Sequence, residues 1–125
     1  MKEKIIILDS SQELLSVLEE LLSAKGYSIS KTSSLVELFD CLDREKYDLL
    51  ILEHLPDRDW DIHLVRAHIR KGGLKSCIVT SNYVLQNGSN SQESDSSIVW
   101  LKRPFKTEKL IATIAKLLKA SEAKG

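Results

Sequence analysis

The chain has 125 residues, of which 42% are hydrophobic and 29% charged, with a formal net charge of zero. That length fits one domain around one core. Scattered Lys and Arg without net charge leave no electrostatic footprint for direct binding of nucleic acid or an anionic membrane. The opening Met-Lys-Glu-Lys leads into only the apolar Ile5 to Leu8 before Asp9, too short for a signal peptide or a membrane span, so a cytoplasmic location is expected. Cys41 and Cys77 stand apart in apolar surroundings and read as buried, reduced and inert rather than as a disulfide.

The first apolar run, Ile5-Ile6-Ile7-Leu8, predicts a buried strand ending at Asp9. Ser10-Ser11-Gln12-Glu13 reads as a capping box that opens a helix with Leu14, Leu18, Leu21 and Leu22 on one stripe and Gly26 at its end. Tyr27 to Lys31 alternates as a short strand does. A second Ser-x-x-Glu box, Ser34 and Glu37, opens a helix with Leu35, Leu38, Phe39 and Leu42. Leu49-Leu50-Ile51-Leu52 is the next buried strand, and Glu53 caps it.

Asp59 or Asp61 can then cap a helix carrying Ile62, Val65 and Ile69, closed by Gly72-Gly73. Cys77-Ile78-Val79 predicts a fourth strand and Ile98-Val99-Trp100-Leu101 a fifth, followed by Arg103-Pro104. Thr107 caps a last helix with Leu110, Ile111, Ile114, Leu117 and Leu118. Between the last two strands, 82–97 is polar, with Tyr83, Val84 and Leu85 as its sizeable apolar residues. It predicts at most one or two turns of helix near Tyr83 to Gln86, so the fourth helix is short or disordered, and then a mobile loop. Residues 1–120 form the domain, and 121–125 read as a tail or the start of a linker.

Strands alternating with helices imply an α/β (βα)5 three-layer sandwich around a parallel sheet. If those strands are parallel neighbours, Asp9, Glu53 and Arg103 meet at one sheet edge, where open α/β sheets bind ligands.

Four pieces in register carry a resemblance over nearly the whole chain. They are Ile-Leu-Asp9-Ser10 with its helix ending in Lys-Gly-Tyr27; Tyr47-Asp48-Leu-Leu-Ile-Leu-Glu53 with Pro56; Val79-Thr80-Ser81; and Trp100-Leu-Lys-Arg103-Pro104-Phe105. Together they resemble the receiver domain of two-component response regulators, the chemotaxis-regulator type. The resemblance implies a flavodoxin-like sheet of five parallel strands in order 2-1-3-4-5. It also implies an aspartate after the third strand that takes a phosphoryl group from a histidine kinase. Two acids after strand one hold Mg²⁺, a Thr or Ser after strand four contacts the phosphoryl group, and a Lys before Pro stabilises it.

Asp9 and Thr80 match that pattern. Glu53 stands at the phosphoacceptor position, Ser10 at the second acid and Arg103 at the lysine, so the site is degenerate. The loop after Glu53 is about one residue short, and Trp60 stands where the family has Gly. Pro104 is a candidate for a cis peptide bond. Trp100 holds the position of the switch aromatic and, being bulky, is expected to be locked inward or outward.

The pocket's charge falls from about −2 in the family to about −1 here, which weakens the pull on a divalent cation. Mg²⁺ demands octahedral oxygen geometry, and a Ser hydroxyl replaces a carboxylate poorly. Metal binding at Asp9 and Glu53 is therefore expected to be absent or weak, with no other cofactor. The extra methylene of Glu53 shifts its carboxylate by more than about 1 Å, enough to spoil in-line attack. Arg103 offers a fork suited to a carboxylate, so a Glu53–Arg103 ion pair is expected to fill the site.

The expected function is a pseudo-receiver: a non-enzymatic module that signals through protein contacts with a histidine kinase or an output domain, a homodimer being a further option. Plainer readings stand beside it. Ser10 is a helix N-cap; Glu53 is a solvated strand-end acid; Thr80 satisfies a strand-end hydrogen bond; Trp60 is a packing or contact residue. Asp57-Arg58-Asp59-Trp60-Asp61 has a calcium loop's alternating acids but lacks the Gly at position six and the Glu at position twelve, where His68 stands. His54, His63 and His68 have no i, i+4 pairing for a metal. Two alternatives remain. One is a phosphoaccepting receiver using a non-standard acceptor, Asp9 or Asp57 being nearest. The other is a flavin or nucleotide binder, which Asp9-Ser10-Ser11-Gln12-Glu13 disfavours by its acids and lack of Gly.

Overall fold

The apolar runs become five strands of one parallel sheet in the computed structural model, which describes residues 2–55, 60–82 and 97–124. The elements are β1 (Lys4–Leu8), α1 (Gln12–Ala24), β2 (Ser28–Thr32), α2 (Leu35–Arg44), β3 (Tyr47–Glu53), α3 (Trp60–Lys71), β4 (Leu74–Ser81), β5 (Ile98–Lys102) and α4 (Thr107–Lys124). The strand order is β2-β1-β3-β4-β5, the flavodoxin-like order expected.

The side-chain period of two splits the central strands between two cores. Ile6, Leu8, Leu50 and Leu52 face Leu38 and Leu42 of α2 and Ile62 and Val65 of α3. Ile5, Ile7, Leu49 and Ile51 face Leu15, Leu18 and Leu22 of α1 and Leu110, Ile114 and Leu118 of α4. Burial on both faces is why β1 and β3 are continuous apolar runs.

The helix ends follow from local chemistry. Ser34 Oγ accepts from the Glu37 amide at 3.2 Å, capping α2 as its box predicts. At the end of α1, Gly26 adopts φ +98°, its amide donates to the Ser23 carbonyl, and the Tyr27 amide reaches back to Leu22. Gly72 at φ +87° repeats this closure after α3, with its amide on Ile69 and that of Gly73 on His68. Both are Schellman closures, in which the left-handed residue is Gly because it carries no Cβ.

Several expectations are corrected. The cap of α1 is Ser11, whose Oγ accepts from the Leu14 amide at 3.1 Å; Ser10 does not cap it. Leu15, not Leu21, is buried with Leu18 and Leu22, because the face of α1 packed on Ile5, Ile7, Leu49 and Ile51 carries Leu15 and leaves Leu21 exposed. Asp61 lies inside the first turn of α3 and is completely buried, so it is not a cap. Thr107 is the first helical residue of α4, and the Lys106 carbonyl accepts from Lys109 and Leu110. Helix α4 runs from Thr107 to Lys124. The short fourth helix and loop expected over 83–96, Pro56, and the acids Asp57 and Asp59 lie outside the described residues.

Candidate functional site

Asp9, Glu53, Thr80 and Arg103 all stand at the C-terminal ends of their strands. Leu8 is paired with Leu52 and Glu53 with Thr80, which brings Asp9, Glu53 and Thr80 side by side. The Arg103 amide donates to the Ser81 carbonyl at 2.7 Å, extending the β4–β5 ladder by one bond. The Arg103–Pro104 peptide is cis. Asp9, Glu53 and Thr80 are buried, and Arg103 is mostly covered.

The expected Glu53–Arg103 pair is replaced by another. Arg103 Nη1 donates to Asp9 Oδ2 at 2.8 Å and to Thr80 Oγ1 at 3.0 Å. The Glu53 carboxylate turns to the β1–α1 turn, where Oε1 accepts from the Ser10 amide at 2.9 Å and Oε2 from the Ser10 hydroxyl at 3.2 Å. The physical reason lies in that turn. Asp9 accepts the Ser11 amide on Oδ1 at 3.0 Å, which aims Oδ2 at β5, while the longer Glu53 side chain reaches the free Ser10 donors. Glu53 is thus a buried, hydrogen-bonded group and not a solvated strand-end acid. Thr80 does contact the Leu52 carbonyl, at 3.5 Å, but its hydroxyl also receives the guanidinium.

Trp100 is turned inward. It packs against the core shared with α2 and α3 and meets the His54 ring edge-on, 5.4 Å between centroids at 86°. His54 Nδ1 lies 3.6 Å from Asp61 Oδ1, so one buried chain of groups leads from the end of β3 to α3 and to β5. Burial first, then the Asp61 carboxylate, pushes the nearby Cys77 thiol up.

Three participants escaped the sequence reading. Ser11 orients Asp9 through its amide as well as capping α1. Phe105 lays its ring 5.7 Å from the Arg103 guanidinium carbon, a cation–π contact that a Pro-Phe step beside a cation could have signalled. The contact of His54 with Trp100 depends on packing that no spacing reveals. His68 serves elsewhere: its ring stacks on Phe39 and bonds Asp43 Oδ1 at 2.9 Å, tying α3 to α2. Beside it, a crevice of about 270 Å³ between Asp43, Lys46 and Lys71 lies at the opposite ends of the strands from Asp9 and Arg103.

No family model matches the chain. No curated protein matches it either. Solved structures do. A CheY-like response regulator receiver domain protein from Methanospirillum hungatei superposes with a TM-score of 0.79 at 20% identity, over 100% of both chains. A response regulator from Thermotoga maritima gives 0.78 at 20% identity, over 95% of this chain and 99% of its own. An orphan response regulator of H. pylori gives 0.75 at 19% identity, over 93% and 96%. The chain has the fold of response regulator receivers.

Proposed function

We propose that this chain is an atypical receiver, a non-enzymatic signalling module of the response-regulator type that acts through protein contacts without Mg²⁺-dependent aspartyl phosphorylation. One observation carries the reading. The carboxylate at the phosphoacceptor position belongs to Glu53, and both of its oxygens accept hydrogen bonds from Ser10. A carboxylate used in this way is not aimed for in-line attack, and its extra methylene displaces it further.

Two further features support the reading. The cation at the position of the family's lysine is bound to Asp9 and Thr80, so it has no N–H of Nη1 left for an incoming phosphoryl group. Trp100 is packed inward against His54, which suits a fixed state of the β5 aromatic. The output is then a constant surface read by a protein partner, a histidine kinase or an output domain, in the cytoplasm.

The test is incubation with a small acyl phosphate and Mg²⁺, followed by intact-mass measurement. The unsubstituted chain should show no phosphoryl adduct. A stable adduct mapped to Glu53, Asp9 or Asp57 would sink the proposal.

A further inference from the structure

We infer that Arg103 is the resident cation of this site: its guanidinium holds on Asp9 the place a divalent ion would need, so a side chain and not dissolved Mg²⁺ sets the local charge balance. The inference rests on the receiver-like reading above and deepens it. The geometry points to it because all four carboxylate oxygens are already committed to donors from the chain. Asp9 Oδ1 accepts from the Ser11 amide and Oδ2 from Arg103; Glu53 Oε1 and Oε2 accept from the Ser10 amide and hydroxyl. The third position of the family's acidic set is Ser10, which offers no charge. With Arg103 seated on Asp9, these residues do not fit Mg²⁺, which needs several anionic or strongly polar oxygens in near-octahedral array.

The guanidinium is also well seated. Both N–H groups of Nη1 are used, one on Asp9 Oδ2 and one on Thr80 Oγ1. The Phe105 ring lies against it, and the Arg103 backbone is fixed to β4 through Ser81. Asp9 is only 4% exposed, so a cation must shed water to reach it. Guanidinium is weakly hydrated, whereas Mg²⁺ releases its waters reluctantly. A tethered cation also competes at an effective concentration on the order of millimolar or above, without any free ion being supplied.

Equilibrium titration with Mn²⁺, the probe standing for Mg²⁺, decides the matter on the full chain and its Arg103→Gln and Arg103→Lys variants, each checked for folding by circular dichroism. R103Q should bind Mn²⁺ at least about tenfold more tightly than the unsubstituted chain, because a unit charge beside the ion has gone. R103K keeps a cation and should stay close to the unsubstituted chain. Equal affinity in the unsubstituted chain and R103Q overturns the inference, and so does a folded R103Q that binds no Mn²⁺. If R103Q does not fold, Thr80→Val carries the test. It drops one of the two Nη1 bonds and should raise Mn²⁺ affinity severalfold; no change overturns the inference. A phosphoryl adduct on the unsubstituted chain would instead overturn the receiver reading, an outcome separate from the Mn²⁺ comparison.

Discussion

Arg103 and Asp9 stand 94 positions apart in the chain and meet through a guanidinium–carboxylate contact of 2.8 Å. Their strands are not neighbours. In the order β2-β1-β3-β4-β5, strands β3 and β4 lie between them, a gap of three spacings of about 4.8 Å each. The Arg side chain bridges that gap across the ends of the intervening strands, touching Thr80 on the way. One ion pair therefore links the ends of β1 and β5, the first and last strands in chain order, over the C-terminal edge.

A double-mutant cycle measures that link. Asp9→Asn or Arg103→Gln alone should each cost about 3 kcal/mol in urea unfolding, because each leaves a largely buried partner without its counter-charge. The double variant should cost clearly less than the sum, with a coupling above about 1 kcal/mol. Strict additivity would mean that the contact contributes nothing to folding.

Restoring the receiver pattern tests the proposed function from the other direction. Glu53→Asp alone should remain free of a phosphoryl adduct with an acyl phosphate and Mg²⁺, since Asp9 is still held by Arg103. The triple variant E53D/S10D/R103K supplies the shorter acceptor, the second acid and a point charge, and it should become phosphorylated. An adduct on the single variant at the level of the triple would show that Ser10 and Arg103 play no part in the block.

Truncating neighbours on α1 separates pattern from packing. Leu22 is fully buried, whereas Leu21 is 37% exposed. Leu22→Ala should cost about 2–5 kcal/mol by loss of buried surface and cavity formation, while Leu21→Ala should cost under about 1 kcal/mol. Similar losses in chemical denaturation would mean that the helix is rotated from the orientation described.

Thiol chemistry should distinguish the two cysteines. Cys77 is completely buried, and burial together with the Asp61 carboxylate pushes its thiol up. A disulfide reagent should label only Cys41 in the folded chain and reach Cys77 on unfolding; equal rates for both thiols would refute this. The unfolded chain ionises such a thiol near about 8.5, while the folded chain keeps the proton. Unfolding then releases a proton, so this group's contribution to stability is intact below that pH and shrinks as pH rises above it, by up to about 1.4 kcal/mol per pH unit. A flat stability profile from pH 8 to 10 would count against the buried thiol.

Much of the fold was legible before any coordinate, because local chemistry wrote it. Apolar runs of strand length, two Ser-x-x-Glu boxes and the glycines at 26, 72 and 73 bounded the elements, and alternation of strand and helix dictated a parallel sheet. At the start of α1 the cap falls one residue later than the Ser-x-x-Glu box implies. Ser10 and Ser11 are chemically identical as caps, so only the structure shows that Ser11 holds the Leu14 amide and Ser10 is left for Glu53.

By itself, the sequence determined which charges gather at the sheet edge, since each of Asp9, Glu53 and Arg103 follows an apolar run that must be buried. It also placed the neutral Ser10 beside Asp9, where the receiver resemblance implies a second acid. Tertiary structure alone decided who binds whom there. Glu53 and Asp9 carry the same group on side chains that differ by one methylene, and the choice between them turns on where two backbone amides point. The Ser11 amide steers Asp9 toward Arg103, and the Ser10 amide draws Glu53 away from it. Those directions are set by the turn between β1 and α1 and by the sheet register, which distribute hydrogen-bond donors in three dimensions and leave no trace in the spacing of residues.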